Sequence, residues 1–402
     1  MKKILFFMFA ALAFVACEKD YQSVIEKTDL ETVVHNNKVS LKQALLYAEN
    51  SINGINPTTR SAERKVKSTE IYVAKPATRS AEDTEVSFYL INYEDNEGFA
   101  MVSTDSRATP VYAYSDEGNL TPYDLENNPG LQIFMEGTIE NYQNEVASPR
   151  MPPDPINRPD SIITDLPMPT VVYNGEVYYL GITTEDIFKE PLLTTYWHQN
   201  APYGNDCPNG IGGCAPLAAA QIMAYHKYPA QFYGHTYNWD AITATPTLPA
   251  GSTGAIAAAG LIYDIAEAAG AVYDTWTTDI YTTHQIRNAI WFFSYNCSEP
   301  LSYDEESIMG DINDEQPILI TGFDNRGEGH AWVIDGYKRR NAIYTYYYLD
   351  APDVVYDTRV HTISTFFHCN LGWGGDSNGY YNANSFLHKN NLSVVYDITP
   401  NN

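Results

Sequence analysis

Ile211-Gly212-Gly213-Cys214-Ala215-Pro216-Leu217-Ala218-Ala219-Ala220-Gln221-Ile222-Met223-Ala224-Tyr225 is the stretch on which both fold and chemistry turn. Two glycines give a flexible approach, then a cysteine opens a run of strong helix formers. Pro216 fits the first helical turn, where its missing N–H costs nothing, and His226 with Pro229 marks the end. Cys214 therefore sits at a helix N-terminus. Unpaired amides and the helix dipole favour an anion there, so a lowered thiol pKa and a nucleophilic thiolate are expected. The same turn also suits a buried structural cysteine. His226 lies about 18 Å of helical rise from Cys214 and cannot share a proton with it.

A base must come from elsewhere in the chain. Gly327-Glu328-Gly329-His330-Ala331-Trp332-Val333-Ile334-Asp335-Gly336-Tyr337 places a histidine after two glycines at the start of an apolar strand. An imidazole at such an edge can face a cleft while its strand stays in the core. Beside a thiol it would stabilise the thiolate and later protonate a leaving amine. Taken alone, a histidine at that place also suits a structural role. His368-Cys369-Asn370-Leu371-Gly372-Trp373-Gly374-Gly375 offers an amide, Asn370, able to fix the imidazole's tautomer, and Trp373 to shield that bond from water. A glycine-rich turn with a packing tryptophan is the plainer reading. Upstream, Tyr196-Trp197-His198-Gln199 supplies an amide that, with the Cys214 N–H, would make an oxyanion hole. Gln199 alone would be an ordinary surface residue; the order Gln, Cys, His, Asn is what singles it out.

The chain-wide numbers bound the alternatives. A length of 402 residues suggests two folded domains plus processing segments. Fifty acidic against 24 basic residues, a net charge of −26, disfavours nucleic acid and anionic lipid surfaces as partners and suits a solvated surface. Met1-Lys2-Lys3 followed by apolar Ile4 to Ala16 reads as an export signal. Phe14-Val15-Ala16-Cys17 resembles a bacterial lipobox, making Cys17 the expected lipid attachment point and the protein an outer-membrane or cell-surface lipoprotein. Ordinary secretion is the alternative. The remaining cysteines are Cys207, Cys214, Cys297 and Cys369. With Cys214 kept for chemistry, an exported protein could join two of the other three. Zinc-ribbon and C-x-x-C spacings are missing from the sequence, so no metal and no cofactor is expected.

Upstream of the nucleophile, a helix is expected over Leu41 to Ala48. A hairpin is expected from Phe88–Tyr93 through Asn96-Glu97-Gly98 to Phe99–Ser103, then a strand at Val111–Ser115 and a helix from Leu131 to Val146. Near-repeats at Thr59-Arg60-Ser61-Ala62 and Thr78-Arg79-Ser80-Ala81 sit in linker-like sequence. Ser148 to Pro169 is dense in proline and marks a linker.

Together, Gln199-Asn200-Ala201-Pro202-Tyr203, Gly213-Cys214, Ala220-Gln221-Ile222-Met223, Tyr225-His226-Lys227-Tyr228-Pro229, Gly329–Gly336 and Asn370–Gly375 resemble the streptopain family of papain-like cysteine peptidases. The resemblance implies an α+β, papain-like domain of helices packed on antiparallel sheet. It implies Cys214 as nucleophile, His330 as general base, Gln199 in the oxyanion hole and Asn370 orienting His330, with Gly213 and Trp373 in support. Gly98–Arg107, Tyr114–Asn119 and Asn128-Pro129-Gly130-Leu131 resemble the family's inhibitory propeptide, which would occupy the cleft as an intramolecular partner. The family usually has a second tryptophan at Leu371, and Ala215-Pro216-Leu217 replaces its common Val-Ala-Thr. The chain is longer than typical between Gly336 and Asn370, with an extra hairpin strand at Tyr344–Leu349, and the usual glycine/serine loop is altered at Asp279 to Thr283.

The expected organisation is a signal peptide (1–16), a tether and start of propeptide (17–70), an inhibitory domain (71–148), a linker (149–185) and a peptidase domain (186–402). The activating cut is expected between Pro149 and Glu190. The expected function is an exported cysteine endopeptidase made as a zymogen, acting on protein or peptide substrates and touching a membrane only through a lipid anchor. Two other classes stay open: a surface binding protein on a decayed peptidase scaffold, and another thiol acyl-transfer enzyme such as an amidase.

Overall fold

The computed structural model describes residues 37–53, 64–74, 85–147, 162–163, 170–173, 176–387 and 391–401. An N-terminal unit comprises α1 (Leu41–Asn53), β1 (Val66–Val73), β2 (Ser87–Tyr93), β3 (Phe99–Ser103), β4 (Val111–Ser115), α2 (Pro122–Asn127) and α3 (Pro129–Ala147). The strands follow their β-branched and aromatic runs. Thr121 and Asp124 form a capping box at the start of α2, with Pro122 in the first turn. Next come β5 (Ile162–Ile163), β6 (Thr170–Tyr173) and β7 (Glu176–Lys189).

The C-terminal part runs α4 (Cys214–His226), β8 (Gln231–Phe232), β9 (His235–Thr236), α5 (Trp239–Ile242), α6 (Thr253–Ala268), β10 (Val272–Tyr273), β11 (Thr278–Asp279) and α7 (Thr283–Phe292). It continues through β12 (Tyr295–Asn296), α8 (Glu305–Asn313), β13 (Ile318–Phe323), β14 (Gly329–Tyr348), β15 (Val355–Asn370), β16 (Gly379–Asn382), α9 (Asn384–Leu387), β17 (Ser393–Val395) and β18 (Thr399–Pro400). The architecture is α+β, as expected. Helix α1 runs five residues beyond the expected Ala48, and the expected strand at Tyr344–Leu349 is the far end of β14. The near-repeats and Cys17 lie outside the described residues, as does the signal segment.

One sheet carries both parts of the chain, in the order β1-β2-β3-β4-β16-β15-β14-β7-β6-β5, with β13 also on β14 and β17 on β13. Strand alternation on β14 separates two cores. Trp332 and Ile334 join the core shared with Phe88, Phe99, Tyr112 and Leu131 of the N-terminal unit. Ala331 and Val333 face the helical core of α4, α6 and α7. Among the described residues, the strand ladder that joins the N-terminal unit to the rest of the sheet is Ala113 and Tyr114 of β4, paired with Tyr381 and Tyr380 of β16. Behind that short ladder, Tyr114 stacks on Tyr380 at 5.3 Å and Phe134 meets Tyr381 edge-on at 4.8 Å. Each such buried ring contributes roughly 1.5–3 kcal/mol. The Lys338–Asp116 pair across the same seam, at 3.8 Å, has a half-exposed carboxylate and contributes about 0–1 kcal/mol. Apolar burial holds the seam.

One edge of β14 is divided between two partners. β13 pairs with Gly329–Ile334, and β7 pairs with Tyr337–Tyr348. β7 is hydrogen-bonded on its other edge by β6, and Arg340 grips Asp186 with bonds of 2.7 and 3.0 Å. A boundary at 185/186 therefore falls inside a strand that is laddered to β14 along Tyr178–Lys189 and to β6 at its start, Glu176–Tyr179. We predict that β7 stays with the C-terminal fragment on maturation, because a protease needs an extended, unpaired backbone. N-terminal sequencing of the matured protein should give a start before Glu176. A start beyond Lys189 would show that the strand leaves with the N-terminal unit.

Candidate active site

Gly213 caps α4 with φ +79°, a conformation that glycine adopts without strain, and so delivers Cys214 to the first helical position. A Cβ on Gly213 would lie 2.8 Å from the Thr278 carbonyl, so β11 packs directly on the nucleophile's turn. The Gly212 N–H donates to the Gln199 carbonyl at 2.7 Å, which ties the glutamine's backbone to the same turn. Gln199, Cys214 and His330 line one cleft of about 370 Å³, together with Pro129 of the N-terminal unit. Three of the four expected catalytic residues are thus brought together.

The thiol and the imidazole are in one cleft, yet the imidazole is engaged elsewhere. His330 Nε2 donates to the Leu371 carbonyl at 3.0 Å. Its ring lies nearly parallel to Trp332, 13° apart with centroids at 6.1 Å. Alternation along β14 explains this, since residues 330 and 332 share the side of the strand facing the N-terminal unit. Burial pushes the His330 pKa down to about 4, partly opposed by the bond to Leu371, so the ring is neutral. The lowered thiol pKa expected for Cys214 is not found in this state. Burial pushes it up, the nearby amides of Ala331, Ala215 and Cys214 itself pull it back only in part, and the Asp279 carboxylate adds to the rise. A helix N-terminus does not offset burial when no imidazolium stands beside the sulfur.

The junction between α2 and α3 packs against His330. Asn128 Oδ1 accepts the N–H groups of Gly130 and Leu131 at 3.0 and 3.3 Å and fixes the entry to α3. Gly130 then rests on the imidazole. A Cβ there would lie 2.9 Å from His330 Cδ2 and 3.1 Å from Leu371 Cδ2. Pro129, beside it, projects into the cleft. Leu371, which stands where the family has tryptophan, is therefore a contact of the plug as well as the supplier of the carbonyl that His330 bonds.

Asn370 does not orient His330 here. Its buried amide exchanges hydrogen bonds with Gln221 at 3.3 Å, donates to the Thr195 carbonyl at 2.8 Å and accepts from Gly372 N–H at 3.2 Å. It fastens the end of β15 to α4. Trp373 is 38% exposed and bridges to His198, so Trp332, not Trp373, covers the imidazole face. Sequence reasoning missed Gln221, whose signal was a buried-looking amide two turns into an apolar helix, and the pair of half-buried His368 with buried Asp335 at 2.6 Å. The possible disulfide is also absent: Cys207, Cys214, Cys297 and Cys369 are all free. Among the described residues no cluster could hold a metal ion, and no helix is long and apolar enough to cross a membrane.

Comparison with known proteins accords with this geometry. Residues 197–381 match the Peptidase C10 family and residues 36–146 match the Spi protease inhibitor. The matches mark residues 197–381 as a cysteine peptidase region of the streptopain (C10) family, preceded over residues 36–146 by an inhibitor domain. It is 23% identical to streptopain of Streptococcus pyogenes over 353 residues, covering 76% of this chain and 79% of that protein. It is 22% identical to the thiol protease/hemagglutinin PrtT of Porphyromonas gingivalis over 384 residues. There 86% of this chain aligns with 39% of the relative, so the chain spans well under half of that protein's length. In fold it resembles a prointerpain A fragment from Prevotella intermedia carrying a cysteine-to-alanine change. That match has a TM-score of 0.53 and 19% identity, covering 83% of this chain and 99% of the fragment.

The plug yields a direct test. Gly130→Ala should drive a methyl group into the imidazole and weaken the domain's hold. Full-length Gly130→Ala should develop thiol-dependent activity earlier than the wild type in a time course with reductant. An unchanged lag would show that Gly130 is not what keeps His330 aside.

Proposed function

We propose that the protein is a cysteine endopeptidase held latent by its own N-terminal domain, with Cys214 as nucleophile and His330 as general base and acid. The observation that carries this reading is a helix-terminal thiol sharing one cleft with an imidazole that the inhibitor domain keeps turned aside. When residues 36–146 leave, Gly130 and Pro129 vacate the cleft and His330 exchanges the Leu371 carbonyl for the thiol. The proton then moves from sulfur to imidazole, giving the ion pair that a lone buried thiol could not form. The thiolate adds to the substrate carbonyl, and the oxyanion is received by the Cys214 N–H and the Gln199 amide. The imidazolium protonates the leaving amine as the C–N bond breaks. Water, deprotonated by His330, then cleaves the thioester and regenerates the thiol.

Asn370 acts in this reading through the frame, by locking β15 and Leu371 to α4, unless His330 turns toward it on release. The matured enzyme should hydrolyse an unfolded protein, and Cys214→Ala should lower the rate by at least about a thousandfold, in line with the loss of a covalent nucleophile. Cleavage by that variant at the wild-type rate would overturn the assignment. Release of ammonia from free glutamine or simple amides, without peptide cleavage, would favour an amidase instead.

We also propose that the protein is exported and anchored through Cys17, on the strength of the charged start, the apolar run and the Phe14-Val15-Ala16-Cys17 sequence. Cells fed radiolabelled palmitate should label the wild type and not Cys17→Ser. Equal labelling of the two would remove the anchor.

A further inference from the structure

The cleft beside Cys214 is acidic in a manner that the chemistry just described does not use. Asp279 and Glu328 both line it, whereas no lysine or arginine does. Asp279 is held in place from several directions. It occupies the second position of β11, paired with Val272 of β10. The neighbouring Thr278 hydroxyl donates to the Ile211 carbonyl at 2.6 Å, and the Thr278 carbonyl is the atom against which Gly213 packs. The nucleophile's turn and Asp279 are therefore one rigid piece.

Alternation on β11 sends the Thr278 side chain inward, where it is buried, and the Asp279 side chain outward to the cleft, where it is partly exposed. The carboxylate accepts one bond, from the Thr277 hydroxyl at 3.0 Å. Among the described residues no cation pairs with it. Glu328, which also lines the cleft two residues before His330, forms no ion pair among the described residues, and the nearby Arg326, bonded to Asp324 at 2.7 Å, meets it only at longer range. Like charge next to the sulfur also works against the thiolate, so Asp279 does not help to generate the nucleophile. A carboxylate so placed has a use if the substrate supplies the missing cation.

We propose that Asp279 is a specificity-determining residue that selects peptides carrying a lysine or arginine side chain close to the scissile bond, with Glu328 reinforcing it from the same cleft. This inference rests on the peptidase reading above. The substrate's ammonium or guanidinium group forms a charge-assisted bond with a carboxylate in a half-enclosed cleft, where such bonds are stronger than in open water. A glutamate at the same substrate position meets two like charges and is rejected. Substrate binding also neutralises the Asp279 charge beside the sulfur, which eases formation of the thiolate. Cationic peptides thus gain in the chemical step as well as in binding.

The test uses full-length protein allowed to mature, and three fluorogenic peptides that differ only in having Lys, Gln or Glu. The varied residue is moved through the positions flanking the cleaved bond. At one position the wild type should prefer Lys over Gln by about tenfold to a hundredfold in kcat/KM, the range of a charge-assisted bond, and Glu should be the poorest. Asp279→Asn should collapse the Lys-to-Gln ratio towards one, whatever it does to the thiol, because a change in the nucleophile scales both peptides alike. Asp279→Lys should invert the order so that Glu exceeds Lys. A wild-type enzyme that cleaves all three peptides equally at every position would overturn the role of Asp279 and leave the peptidase reading standing, as would an Asp279→Lys variant with the wild-type order. Failure to cleave any peptide would instead overturn the peptidase reading.

Discussion

In the proposed latent state, a hydrogen bond from His330 Nε2 to the Leu371 carbonyl, together with the packing around it, sets where the imidazole lies. The bond has a neutral donor and a backbone acceptor, and such bonds contribute about 1 kcal/mol net. By itself it could not keep an imidazole from a thiol. Gly130 supplies the rest by occupying the space beside Cδ2, and burial supplies the electrostatics by making the charged imidazole costly. The consequence reaches the sulfur as well. Burial raises the Cys214 pKa, and with a neutral imidazole no cation offsets it, so the thiol stays protonated.

How the inhibitor domain holds its place follows from the sheet. It does not simply cap the cleft but extends the peptidase's own β-sheet, with β4 against β16, and shares a core with β14 through Trp332 and Ile334. The same alternation that places Ala331 and Val333 on the α4 side sends His330 to the inhibitor side. The imidazole and the inhibitor's packing therefore share one face of the strand, opposite the face that packs on α4. A change in packing on either face is felt by the histidine at its start.

Much of this was legible in the chain itself. The Gly-Gly-Cys-Ala-Pro turn announced a helix-terminal thiol because few residue combinations allow that turn, and Gly329-His330 announced an imidazole at a strand edge. The orientation of that imidazole was not legible, because it is set by Gly130, two hundred residues away, through a contact that leaves no local pattern. Asn370 was read as the histidine's partner from its order in the chain. Its actual partner, Gln221, lies on the nucleophile's helix and could be recognised only once α4 and β15 were packed together. Residues 176–185, which follow the proline-dense stretch and are expected in the linker, have strand composition in Val177-Tyr178-Tyr179-Leu180 and Ile182-Thr183-Thr184 and lie in β7. The prolines upstream outweighed a pattern that β7 makes plain. The thiol pKa was misjudged for a simple reason: a helix dipole can be read from sequence, and burial cannot.

The two-residue ladder between β4 and β16 has a further consequence for the liberated enzyme. Once the inhibitor departs, the outer rim of β16 is left with unbonded amides and carbonyls, flanked by Tyr380 and Tyr381, which lose their ring partners Tyr114 and Phe134. Such a rim is a template for any extended chain. In the proposed maturation, the peptidase would keep a vacant berth shaped for the segment it sheds, and a cut alone would leave that segment able to return.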